Sequence, residues 1–431
     1  MSLANRLAAA VAGTPLAKRL DGVADGVLAH SQELAPIDEA GARDLARLLA
    51  SNDEMARYLG QRPALLARIA RRDPATLDDP PLEARLPTDF EGDLEGFVDG
   101  LRLLRRDEMA ATAALDLAAA IPFERASLHL SLVAEGILQR ALEAARAALP
   151  DAARLPFSVV AMGKLAGREL TYHSDLDLVF VYSGETERVH LASRLAQKLI
   201  HYLSVPTGAG TAYAIDARLR PSGRKGSLVI SYDAYRQYQL EQAQTWEHLV
   251  LMRSRPVGGD IAPMADLLGA VRDQVCTRSE SPWSDIADMR ARVHAERGSA
   301  PARVDFKTGQ GGTMDVDFLA AGARLECGAL KPPELPSVSR MLATVVKGSG
   351  VDDVLASYAF LRRLEARVRW VTGRPAEAFD TEAPVLEIVA ELLEPGLSVN
   401  GLFGRTREAR GAIARACERV FAGDSIRALE D

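Results

Sequence analysis

Asp175 and Asp177 stand two residues apart at the head of the apolar run Leu176–Tyr182. Side chains along a strand alternate between faces, so both carboxylates point the same way and can reach one divalent cation. Mg²⁺ prefers such oxygens and usually takes one or two from protein, leaving phosphate and water to complete its shell. Asp216, in a second strand-like run over 211–219, would complete a three-carboxylate cluster for two metals if that strand pairs beside the first. Arg218 and Arg220 follow it at i+2 and i+4, on the same face, and guanidinium groups match phosphate oxygens in geometry and charge. Upstream, Gly163-Lys164 directly follows a strand-like run. There, a backbone without a side chain admits a phosphate and the lysine adds a point charge. The chemistry described is nucleotidyl transfer: metal-assisted attack of a hydroxyl on the α-phosphorus, with the leaving pyrophosphate neutralised.

The elements that must hold these residues are few. Phe157–Met162 and Leu176–Tyr182 are short, β-branched and predicted as strands, with further strands over 211–219 and 227–230. Around them the pattern is helical. Leu128, Leu132, Leu138, Leu142, Ala145 and Leu149 recur at helical spacing between Pro122 and Pro150, which predicts a helix over 123–149. Helices are also predicted over 188–203, as one long element over 232–252, and over 352–372, where Gly373 and Pro375 end the pattern. The fold class expected is mostly α with a small α/β core, divided as a helical region 1–150, a core 151–260 and a helical bundle 261–431.

A chain of 431 residues, 48% hydrophobic and 26% charged, is expected to form two or three domains and is neither collagen-like nor wholly disordered. A net charge of −7 argues against bulk nucleic acid as the partner. No apolar run approaches the roughly 18–20 residues that cross a bilayer, so no membrane is expected. The first residues show no export signal, and Cys276, Cys327 and Cys417 are too scattered for a disulfide framework or a zinc knuckle. A reducing cytoplasm is the expected compartment. Only 7 of the 52 basic residues are lysine, which makes Lys164, Lys225 and Lys307 conspicuous.

Gly163 followed by Asp175-x-Asp177, with a third acid on a later strand, resembles the polymerase-β nucleotidyltransferase superfamily. The fuller text is more specific. Met162-Gly-Lys-Leu-Ala-Gly-Arg-Glu-Leu, Ser174-Asp-Leu-Asp177, Asp216-Ala-Arg-Leu-Arg-Pro-Ser-Gly223, Gly226-Ser-Leu-Val229, Thr245-Trp-Glu-His248 and Lys307-Thr-Gly-Gln-Gly-Gly-Thr-Met-Asp-Val-Asp-Phe318 resemble the glutamine synthetase adenylyltransferase family. The resemblance implies a nucleotidyltransferase sheet flanked by helical bundles, and an enzyme that moves AMP from ATP to a tyrosine of glutamine synthetase with two Mg²⁺ ions. It implies Asp175, Asp177 and Asp216 as catalytic metal ligands, with Gly163, Lys164, Ser174, Arg218, Arg220 and Lys307 around the nucleotide. It further implies response to a PII signal protein and to glutamine.

Family members usually carry two homologous halves, one adding AMP and one removing it by phosphorolysis. The 220–226 and 243–248 text resembles the adenylylating, C-terminal half, and the single copy of the signature leads us to expect one half only. Two alternatives stand beside this: the deadenylylating half, and a non-catalytic module that binds nucleotide or PII. Ala166 and His173 depart from the family pattern, where a second glycine and a small or polar residue are usual. Asp315 and Asp317 suit a second phosphate-side element or simply a helix N-terminus, where carboxylates favour the dipole. Trp246-Glu247-His248 is expected to start or pack a helix.

Overall fold

The computed structural model describes every residue except 1, 21, 31–33, 35–36, 222, 224–225, 279–280, 297–301, 332–333 and 431. Helices dominate, and a small mixed sheet lies among them. Its strands are β1 (Phe157–Met162), β2 (Leu176–Tyr182), β3 (Ile215–Asp216), β4 (Val229–Ser231) and β5 (Ser254–Gly259). β1 pairs antiparallel with β2 on one side and with β5 on the other. The free edge of β2 is shared lengthwise: β3 pairs parallel with Leu176–Asp177 and β4 parallel with Phe180–Tyr182. Every residue of β1 is buried, and Asp177 is the least buried residue of β2. Continuous burial of this kind requires cover on both faces of a sheet. A separate two-stranded pair, β6 (Arg303–Asp305) with β7 (Ala378–Asp380), lies outside that sheet.

The long helices follow the apolar periodicity closely. Phe123–Ala147 starts behind Pro122, Val189–Ser204 matches the 188–203 expectation, and Ser349–Thr372 ends at Gly373, which takes the left-handed conformation at φ 65°. The 232–252 expectation is corrected to two helices, Tyr232–Glu241 and Thr245–Met252. The break has a local cause: Gln244 and Glu247 form a reciprocal capping box that starts a new helix. The third expected strand contracts from 211–219 to Ile215–Asp216. Beyond Asp216 its carboxylate accepts the Arg218 N–H at 2.8 Å, and the chain turns off the sheet. β5 was not predicted. Its Pro256 and two closing glycines argue against a strand, yet they are tolerated at an edge, where the register to β1 shifts between Val159 and Val160.

One buried cluster ties elements from three stretches of chain. Asp116, in helix Leu94–Leu117, accepts the Tyr172 hydroxyl at 2.6 Å and an Arg367 Nη2–H at 2.9 Å, while Arg367 belongs to helix Ser349–Thr372. The side chains of Asp116 and Arg367 are only 2% and 7% exposed. A charge left alone at that depth is costly, so Arg367→Leu should lower stability by about 3–5 kcal/mol. Asp116→Leu combined with Arg367→Leu should recover much of that loss; urea midpoints of the single and double variants measure it, and additive losses would contradict the pairing.

Candidate active site

β2 and β3 bring the acidic residues together. Asp177 and Asp216 are register partners on neighbouring parallel strands, so their side chains share a face, and Asp175 precedes Asp177 by the two residues that return it to that face. Asp175 is exposed, whereas Asp177 and Asp216 are half-buried. Burial first, and then the charges of Asp175 and Asp216, push the Asp177 carboxyl from the ordinary 3.8 up to about 6; Lys307 and Lys164 pull the other way.

Asp216 is engaged by Arg218, whose Nε–H donates to both carboxylate oxygens at 2.8 and 2.9 Å and whose Nη2 forms a further contact. As they stand, the carboxylates do not close into a three-ligand cage, and no group of three acidic, His or Cys side chains does so among the described residues. The donor set nevertheless fits Mg²⁺ by chemistry. Carboxylate oxygens are its preferred ligands, and the crowding that disfavours the ionised form of Asp177 is what a cation would relieve.

The glycine lies against this face, and the charges of the lysines reach it. Gly163 adopts φ 56° directly after β1, and a Cβ built on it would lie 3.9 Å from the Asp177 carboxylate. The left-handed backbone favours glycine at this turn, and the chain passes within van der Waals reach of that carboxylate. Lys164 Nζ donates to Glu365 Oε1 at 2.5 Å. Burial pushes Lys164 down to about 8 against the pull of Glu365. Lys307, more than a hundred residues further on, acts on both Asp177 and Lys164, and it is paired with Glu377. Burial would lower the Lys307 pKa, but Glu377 outweighs it and raises it.

The remaining expectations resolve differently. Ser174 is buried; its hydroxyl accepts the Thr171 N–H at 3.1 Å and an Arg369 Nη1–H at 3.4 Å, so it holds its own turn. Arg220 directs its guanidinium at the Ala217 and Gly226 carbonyls. The regular i+2, i+4 face expected for Arg218 and Arg220 is thus corrected: the strand ends at Asp216, and both arginines fold back on their loop. Lys225 lies outside the described residues. Asp315 sits in the first turn of helix Thr313–Cys327, where it accepts from Arg290 at 2.7 and 2.8 Å and from the Gly311 N–H at 2.7 Å. Asp317 pairs with Arg253. Both are thus engaged by arginines, and Asp315 also by the backbone at its helix N-terminus. His248 Nε2–H donates to the Gln239 carbonyl at 2.9 Å, joining the two helices of its pair. His173, at φ 52°, is pushed down to about 3, first by burial and then by Arg105, Arg369 and Arg106, and so stays neutral.

What the sequence reading missed is the support beneath Lys164. Glu365 also accepts from Arg362 Nε at 3.1 Å and pairs with Arg369 at 2.9 Å. Burial alone would raise its pKa, but Lys164, Arg369 and Arg362 hold it well below the usual carboxylate range. Arg362 also donates to the Glu169 carbonyl at 2.5 Å, and Glu169 pairs with Arg253. The signal was present: Arg362, Glu365 and Arg369 recur at i, i+3 and i+7, the period of the buried face of their helix.

The rise at Asp177 has a stability consequence. A carboxyl whose folded pKa lies above its unfolded value contributes most below about pH 4 and loses that contribution as pH climbs through about 6. The rise from 3.8 to about 6 corresponds to about 3 kcal/mol lost by pH 8. Asp177→Asn should therefore raise the metal-free melting temperature at pH 8 while abolishing any Mg²⁺-dependent increase. Thermal melts with and without Mg²⁺ at pH 4.5 and 8 check both signs; a destabilised Asn variant at pH 8 would contradict the electrostatic account.

The sequence profile of the family described as glutamate-ammonia ligase adenylyltransferase matches residues 42–270. The bifunctional glutamine synthetase adenylyltransferase/adenylyl-removing enzyme of Hahella chejuensis is 33% identical over 368 residues, covering 75% of this chain and 38% of that protein. Its namesake in Chromobacterium violaceum is 35% identical over 373 residues, covering 81% and 41%. In Thioalkalivibrio sulfidiphilus the figures are 33% over 339 residues, 70% and 35%. The matched region therefore spans about two fifths of these relatives, or less.

Proposed function

The chain belongs to the glutamate-ammonia ligase adenylyltransferase family, and we propose that it is an adenylylating half: it transfers AMP from ATP to a tyrosine hydroxyl of glutamine synthetase, releasing pyrophosphate, and so regulates nitrogen assimilation. The observation that carries this reading is the in-register pairing of Asp177 with Asp216 beside Gly163, faced by Lys164 and Lys307. The sheet of 151–260 is read as a nucleotidyltransferase (polymerase-β-like) core between helical regions 1–150 and 261–431. The 220–226 and 243–248 text supports the adenylylating direction.

In this reading Asp175, Asp177 and Asp216 hold Mg²⁺, which would lower the pKa of the attacking hydroxyl and screen the phosphate charge. The chain's own residues do the rest. The open backbone at Gly163 admits the triphosphate, and Lys164 and Lys307 supply positive charge from the side opposite the carboxylates. Arg218, with a side chain 59% exposed, turns from Asp216 to the phosphates. That frees Asp216 to take the phenolic proton as the tyrosine oxygen bonds to the α-phosphorus. The bond from that phosphorus to the bridging oxygen breaks, and pyrophosphate departs with the electron pair. Arg220 and Ser174 act at one remove, by fixing the loop and the turn that carry Arg218 and Asp175. A PII signal protein and glutamine are proposed as regulators. Among the described residues no helix is long and apolar enough to cross a membrane, in keeping with the cytoplasmic setting proposed.

Mass spectrometry of glutamine synthetase incubated with this chain, ATP and Mg²⁺ should show AMP added to a tyrosine. Asp216→Asn should slow that addition by roughly 10²–10⁴-fold. Unchanged transfer in Asp175→Asn and Asp216→Asn overturns the catalytic assignment. Release of ADP from adenylylated glutamine synthetase and phosphate, with no forward transfer, reverses the direction.

A further inference from the structure

Helix Val399–Gly423 presents a face to a cavity of about 620 Å³, bounded opposite by Val304, Gln310 and Thr381. Two rows of residues spaced by four line the helix side: Phe403, Arg407, Gly411 and Arg415 in one, Thr406, Arg410 and Ala414 in the other. Gly411 and Ala414 leave space between the arginines of the two rows. Three arginines line this cavity, and among the described residues no carboxylate does. In a chain of net charge −7 with acidic partners for most of its buried arginines, that is an unusual local balance. Arg407 and Arg415 are exposed and enter no ion pair among the described residues, while half-buried Arg410 uses Nε to donate to the Gln310 carbonyl at 3.0 Å. Phe403 adds an apolar wall, backed by Phe379 stacked at 6.1 Å.

We propose that this cavity binds a phosphorylated small molecule, with phosphate oxygens on Arg407, Arg410 and Arg415 and its carbon portion against Phe403. Guanidinium forks match phosphate in geometry, and a concave wall favours a small molecule over a flat macromolecular surface. The site is separate from the carboxylates of β2 and β3 but not isolated from them. Arg410 holds the loop 307–312 through Gln310, and a Cβ on Gly311 would overlap the Arg410 carbonyl oxygen at 1.9 Å, so loop and helix meet backbone to backbone. That loop begins at Lys307, whose charge reaches Asp177. Occupancy of the cavity should therefore be felt at Lys307.

The test uses the full chain without divalent metal, titrated by calorimetry with ADP, inorganic phosphate and citrate. We expect ADP and phosphate to bind and citrate to bind at least tenfold more weakly. Arg407→Ala combined with Arg415→Ala should weaken ADP at least tenfold, and Arg405→Ala, on the same helix but outside the cavity lining, should leave it unchanged. All three substituted arginines are exposed, and circular dichroism checks that each variant is folded. ADP should also slow backbone hydrogen exchange over 307–312. Equal binding of citrate overturns the phosphate class. Unchanged ADP affinity in the double arginine variant, or an equal loss in Arg405→Ala, overturns the site. Unaltered exchange over 307–312 overturns the coupling.

Discussion

A single buried carboxylate organises the positive side of the candidate site. Glu365 is 1% exposed and touches Lys164, Arg362 and Arg369. Three cations so close would repel one another and resist burial; with Glu365 among them, each gains a partner and the group becomes a fixed positive surface. Lys164 comes from the turn after β1, whereas Arg362, Glu365 and Arg369 come from helix Ser349–Thr372. The sheet therefore depends on a helix residue 201 positions away in sequence to hold its lysine. Arg369 carries the same support to Ser174, and Arg362 carries it to the Glu169 carbonyl.

The opposite side is built on repulsion. Asp175, Asp177 and Asp216 share one face of two parallel strands, and the cost of that crowding falls on Asp177. Arg218 offsets part of it by folding onto Asp216. A face of like charges set against a fixed cationic surface is poorly suited to stability but well suited to a polyanion with its counter-ions, because each charge group lacks something that such a ligand brings.

Much of this was legible in the residues. Asp175, Asp177 and Asp216 were readable because strand alternation is strict over two residues, and the 123–147 and 349–372 helices because their apolar spacing extends over many turns. The misreadings have physical causes. β3 stops at Asp216 since the aspartate's own side chain captures the next backbone N–H, a local contact that competes with the ladder. β5 was hidden by Pro256 and its glycines, which only edge placement makes tolerable. The 232–252 helix breaks at a capping box that apolar periodicity does not register. Glu365 was missed because a buried charge has meaning only through partners, and Lys164 is distant in sequence. Lys307 was singled out from its motif, but its route to Asp177 through the 307–312 loop needed the tertiary structure.

The divided edge of β2 has a further consequence. β3 holds its place by two paired residues, and β4 takes over the same edge three residues later. The stretch between them, which carries Arg218 and Arg220, is thus anchored at both ends to one strand and tied at neither end by a long ladder. Its length and composition are free to diverge among descendants without shifting the register of β1 against β2. The carboxylates of Asp177 and Asp216 and the arginine-bearing stretch are in this way given separable parts of one strand edge, so that one can drift while the other stays fixed.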